Sequence, residues 1–249
     1  MTESVNYIDR EGTVRAYKID EDIIIELLDS APKLDESLKS TVDQMWYEAL
    51  NRDDRHLFDG TVLSVVDIKP QRITVCRKPY RHFYAQTIAP DLFQHIGARP
   101  LACSGVLRCL DGLLFARRAK DVFLDPGRWE LAPSGTLDTE AIDYNGRIDA
   151  AGFLMREMHE ELGIEPSSAN PGRIVGLFEM MPLHSLDLAI KLQLNLTNDE
   201  VTTLFEKNNN QEYSALAVIP NDGIGAFVTQ NDSNFVALTL RLLEHLDLN

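Results

Sequence analysis

Apolar residues recur at helical spacing near 35–51 (DESLKSTVDQMWYEAL), which predicts an amphipathic helix. Three β-rich runs follow, TVLSVVDI, RITVCRK and HFYAQTI, separated by turn residues, and each reads as a strand. LACSGVLRC and GLLFARRA flank the turn signal Leu110-Asp111-Gly112, so residues 101–119 are expected to form a hairpin. Residues 126–147 read as a long polar loop, and a helix is expected from about 149 to 163, stopped by Gly163. Strand patterns return at GRIVGLFEM, LDLAIKLQL and EYSALAVIP, before a closing amphipathic helix at about 234–247. No internal repeat or low-complexity tract interrupts this order. It predicts an α/β (α+β) fold, a mixed sheet packed with helices.

Composition adds mainly exclusions. With 249 residues, 44% hydrophobic and 25% charged, the chain can bury a core without disulfides or structural metal. The net charge of −15 disfavours nucleic-acid binding by phosphate neutralisation. That charge is uneven: residues 1–60 carry a net −8, 61–120 a net +7 and 121–249 a net −14. The basic middle segment therefore offers positive potential to a small anionic ligand. Cys76, Cys103 and Cys109 lack zinc or disulfide spacing and read as reduced, buried thiols. The polar N-terminus and the lack of an apolar run of about 18 residues make a membrane location unexpected and the cytoplasm the expected compartment.

The predicted helix near 149–163 carries Glu157, Glu160 and Glu161 at i, i+3 and i+4, on one face. Such like charges repel by a few tenths of a kcal/mol per pair, so an unliganded helix gains nothing from them. A divalent cation reverses the sign, and oxygen-only ligands suit magnesium, with manganese as a substitute.

The stretch Arg156-Glu157-Met158-His159-Glu160-Glu161-Leu162-Gly163-Ile164 resembles the second half of the Nudix box, R-E-U-x-E-E-x-G-U, at every position. Upstream, WELAPSG resembles the approach to that box, with Gly135 as its first glycine. Twenty residues, 136–155, separate Gly135 from Arg156 where the box has 13, and Ile148 stands where the first box glutamate belongs. Glu140, Asp143 and Asp149 are the candidates to replace it.

The resemblance implies a Nudix-type mixed sheet sandwiched between helices, and hydrolysis of a nucleoside diphosphate linked to another moiety. It implies Glu160 and Glu161 as principal metal ligands, Glu157 as a further ligand or metal-shell group, and Arg156 orienting the carboxylates. It further implies a general base outside the box; Glu212 is the candidate, with Glu179 and Glu206 as rivals. Arg117 and Arg118, ending a strand expected beside the box helix, are candidates to grip a diphosphate. Trp46, Phe83, Tyr84 and Trp129 are candidates for base stacking, although aromatic residues at these spacings belong more often to the core. His159 reads as exposed, and His184 as a structural histidine within reach of the site.

DQMWYEALNRDDRHLFDGTVLSV resembles the N-terminal region of Nudix hydrolases acting on UDP-glucose and UDP-galactose, which makes a nucleotide sugar the expected substrate, with ADP-ribose and other dinucleoside or nucleoside diphosphate derivatives as alternatives. Residues 1–97 are expected to form an N-terminal extension, a substrate lid or a homodimer contact, and 98–249 the catalytic domain. Two alternatives stay open: a catalytically silent nucleotide-binding or regulatory module, and a Nudix isomerase requiring a reactive cysteine.

Overall fold

The computed structural model describes residues 4–9, 12–28, 30, 33–52, 57–231 and 234–248. The chain opens with strands β1 (Ser4–Asp9), β2 (Gly12–Tyr17) and β3 (Ile24–Leu27), then helix α1 (Glu36–Arg52). Strands β4 (Thr61–Lys69) and β5 (Arg72–Pro79) lead into helices α2 (Tyr80–Ile88) and α3 (Phe93–Ile96). Next come β6 (Leu101–Arg108), β7 (Leu113–Arg118), and the short β8 (Trp129–Leu131) and β9 (Ser134–Thr136), before helix α4 (Ala150–Leu162). Strands β10 (Arg173–Met181) and β11 (Ser185–Gln193), helix α5 (Asn198–Lys207), strand β12 (Tyr213–Ile219) and helices α6 (Ile224–Gln230) and α7 (Ala237–His245) complete it.

The main sheet runs β1-β2-β10-β11-β6-β7-β12, with β8 on β7 and β9 on β6. It is mixed, because β11 runs parallel to β6 while the other pairs are antiparallel. A second sheet, β3-β5-β4, packs beside it. One core joins Ile73 and Val75 of the small sheet to Leu154, Met158 and Leu162 of α4 and Leu188 and Ile190 of β11. A second lies on the opposite face, where Phe115 and Phe178 meet Leu242 and Leu243 of α7, and a third joins Val42 of α1 to Phe83 and Ala85 of α2 and Ile96 of α3. Helices thus cover both faces, the α+β sandwich expected from the element order. Among the described residues no helix is long and apolar enough to cross a membrane.

Three local expectations change. HFYAQTI is not a strand; it belongs to α2. Pro79 breaks the strand before it, and Phe83 and Gln86, three residues apart, then share a buried helical face. The polar loop at 126–147 contains β8 and β9, too short to show a period. The hairpin turn forms where expected, with Cys109 N donating to Gly112 O at 2.8 Å. Its strands, however, pair only at Arg108 and Leu113 and then part, with β9 taking the free edge of β6 and β8 that of β7. The divergence opens the sheet and creates the cleft. Strands β1 and β2 precede residue 97 yet extend the main sheet, β2 pairing Tyr17 with Leu177 of β10.

Candidate active site

The cleft at the split holds about 390 Å³. Helix α4 aims at it for local reasons. Asp149 caps its N-terminus, accepting from Gly152 N at 2.9 Å, and Gly163 ends it at φ +70°. Leu154, Met158 and Leu162 anchor the buried stripe, and Glu157 and Glu161, one turn apart, face the cleft beside Ser134 and Gly135. Ser134 N donates to Glu161 Oε2 at 3.4 Å. Gly135 matters through the atom it lacks: a Cβ there would lie 2.7 Å from Glu157 Cδ and 2.8 Å from its Oε2. Only glycine lets that carboxylate rest against β9.

More acids converge than the box supplies. Glu130 of β8 and Asp187 of β11 line the same cleft, and exposed Glu212 stands at its edge. Glu130 accepts from Arg118 Nη1 at 2.7 Å, Tyr213 Oη at 3.0 Å and Ser134 Oγ at 3.2 Å. Ser104 Oγ donates to Asp187 Oδ1 at 2.8 Å. Burial, then Glu160 and Asp138, push the Glu157 carboxyl up to about 7. Burial, then Glu157 and Glu130, hold Glu161 well above the usual carboxylate range. Arg118 is the one cation among the described residues lining the cleft. The site concentrates acid with little positive charge to offset it.

Among the described residues no three Asp, Glu, His or Cys side chains form a ready-made metal cage. The donor set nevertheless fits magnesium, which is held by one or two carboxylates and completed by water and substrate phosphate. Glu157 and Glu161 are the box carboxylates that line the cleft and could hold such an ion. Glu160 shares their helix but is exposed and does not line the cleft.

The other sequence candidates divide. Arg156 donates to Glu140 O at 2.8 Å, and its guanidinium lies 5.4 Å from the Phe153 ring centroid. Arg117 and Arg118 point to opposite faces, as successive strand residues must. Arg118 lines the cleft, whereas exposed Arg117 donates to Gly127 O at 2.8 Å. Asp143 accepts from Asn145 N and Arg147 N, both at 2.8 Å, so it serves a turn, and Glu140 is exposed. Glu179 sits in a separate buried network with Tyr17, Arg99 and His184, the last two at 3.2 and 3.1 Å. Glu206 is exposed on α5, and exposed His159 lies 3.5 Å from Glu165. Trp46 pairs edge-on with Tyr84 and Trp129 with Phe227, while Phe83 reaches the cleft. All three thiols are free and buried, and burial pushes Cys109 up to about 12 and Cys103 well above the usual thiol value.

Glu130 and Asp187, with Asp125 at the same cleft, are acids that sequence reasoning missed. Asp187 stands among Leu186, Leu188, Ile190 and Leu192 on the alternate positions of β11, a pattern that reads as a solvated face. Glu130 lies inside WELAPSG, where nothing local marks it as a site residue.

No family profile and no curated protein matches the chain. Solved structures do. A NUDIX hydrolase from Nitrosomonas europaea is 14% identical at a TM-score of 0.43, over 60% of this chain and 88% of that one. The NUDIX domain of Shewanella oneidensis NrtR, complexed with ADP ribose, is 18% identical at 0.41, over 66% and 96%. A bifunctional NMN adenylyltransferase/ADP ribose pyrophosphatase from Francisella tularensis, with AMP and a manganese ion, is 12% identical at 0.45, over 68% and 49%. At these identities and TM-scores, the case for function falls to the side chains of the cleft.

Proposed function

We propose that the protein is a metal-dependent hydrolase of the Nudix type, cleaving the diphosphate of a nucleoside diphosphate linked to a sugar. The products are a nucleoside monophosphate and a sugar phosphate. One observation carries the reading: Glu157 and Glu161 of the REMHEELGI helix face a cleft shared with Glu130, Asp187 and Glu212. A helix that served structure alone would gain nothing from gathering carboxylates in this way.

Glu157 and Glu161 would hold magnesium or manganese. When bound, such a cation neutralises diphosphate oxygens and lowers the pKa of a water. The chain's own groups do the rest. Gly135 leaves Glu157 the space its carboxylate needs. Arg118, held by Glu130 and by Leu124 O at 3.0 Å, presents a fixed positive charge for a phosphate oxygen. Glu212, exposed at the edge, takes the proton of the attacking water. The N-terminal segment DQMWYEALNRDDRHLFDG supports the nucleotide-sugar class through its resemblance to enzymes acting on UDP-sugars.

The test is incubation with magnesium and a panel of UDP-glucose, UDP-galactose, ADP-ribose, NADH, CDP-choline and nucleoside triphosphates, with products read by mass spectrometry. UMP plus a sugar 1-phosphate is the expected outcome. Glu157→Gln and Glu161→Gln should each lower turnover by at least about a hundredfold. Full activity in both variants would refute the assignment. Ile148 at the first glutamate's register favours a second reading, a silent binding module, which would show calorimetric binding of a nucleotide sugar without product.

A further inference from the structure

A second cavity of about 400 Å³ opens beside the catalytic cleft and shares Arg118, Leu124, Thr136 and Glu212 with it. Its character differs. Phe58, Tyr80 and Phe123 form its aromatic wall, and Asp121 and Gln211 add hydrogen-bonding groups. We propose that this annex is the nucleobase subsite, taking the planar aromatic end of the substrate whose diphosphate occupies the cleft. The inference rests on the hydrolase reading for the identity of that diphosphate, and on the annex alone for the ring.

Three observations carry it. Phe58 is 82% exposed and lines the annex, offering an apolar face that a stacked ring would take out of water. It lies over Gly60, where a Cβ would approach the ring to 3.1 Å, so glycine lets the ring rest close to the backbone. The other two rings are set in advance: Tyr80 packs edge-on against Trp46 at 6.2 Å and Phe83 at 5.9 Å, and Phe123 lies 5.5 Å from Tyr84. Two rings already fixed by their neighbours lower the ordering cost of binding a third.

Charge then selects the occupant. The described residues lining the annex include one cation, Arg118, already bonded to Glu130, and two acids, Asp121 and Glu212. A second anionic group would be repelled there. A neutral base fits, with N–H groups to donate to Asp121 and edges to meet Gln211.

Calorimetric titration of the whole protein with magnesium present tests this, using UMP, AMP and ribose 5-phosphate as probes. At least one nucleotide should bind about tenfold or more tightly than ribose 5-phosphate, the scale of one base stacked on an aromatic side chain. Phe58→Ala should bring that ratio toward one, and Phe58→Trp should preserve it. A ratio near one in the unaltered protein, or one unchanged by Phe58→Ala, would overturn the proposal. Failure of the hydrolase reading looks different: the base still raises affinity in a Phe58-dependent way, yet no substrate in the panel yields product.

Discussion

At Gly135 and Asp187 single atoms decide what the cleft can do. Gly135→Ala places a methyl 2.7 Å from Glu157 Cδ, and the contact is with the end of a side chain, so the carboxylate moves rather than the strand. The fold should survive, with an unchanged circular dichroism spectrum. Turnover should fall by about a hundredfold, the cost of displacing a catalytic group by about 1 Å. Near-normal turnover would show that Glu157 need not rest against β9. Asp187 makes the second case. Burial first, then Glu130, raise its carboxyl from 3.8 to about 6, against the opposing Ser104 hydrogen bond and Arg118. The folded protein therefore holds this proton more tightly than the unfolded chain. The stability it contributes is fully present below about pH 4 and is lost as the pH rises through about 6. Asp187→Asn removes the titration. Relative to that variant, the unaltered protein should lose up to about 3 kcal/mol across this window, or several degrees of melting temperature. Parallel melting curves from pH 4 to 7 would contradict the assigned cause.

At the scale of elements, α4 was legible because its signals are local. An apolar stripe, an Asp at the start, a Gly at the end and the REMHEELGI pattern agree with one another. What escaped was set by distant partners. The run HFYAQTI has β-favouring residues, but Pro79 and packing against α1 turn it into a helix. Strands β8 and β9 have three residues each and exist because β6 and β7 part to receive them. Glu130 was illegible as a site residue for the same reason, since its role depends on Arg118 and Tyr213 from other strands. Helix α5 did carry a readable signal, the Thr197 and Glu200 capping box. Asp149 tests the division between structure and chemistry. As the N-cap of α4, its replacement in Asp149→Ala should cost about 1 kcal/mol. That corresponds to about 2–4 °C of melting temperature in a chain this size. Turnover should stay within a few-fold. Lost turnover with an unshifted melting temperature would instead make Asp149 the replacement for the first box glutamate.

For the whole molecule, a net charge of −15 and a cleft lined by Glu130, Glu157, Glu161 and Asp187 beside one arginine put like charges close together in a poorly hydrated space. Removing charge there should stabilise the metal-free protein, so Glu157→Gln with Glu161→Gln should melt higher than the unaltered chain in chelator. Magnesium should reverse that order. A cation that binds only the folded state at a hundredfold over its dissociation constant contributes about 2.7 kcal/mol, or about 5–10 °C here. The doubly substituted protein loses both ligands and should gain little. General screening of the acidic surface would raise both proteins equally, and potassium at matched ionic strength measures that part. The deciding quantity is thus the difference between magnesium and potassium in each protein. A large difference confined to the unaltered chain places the cation between Glu157 and Glu161. Equal differences in both proteins would place it elsewhere and leave the hydrolase proposal without its metal.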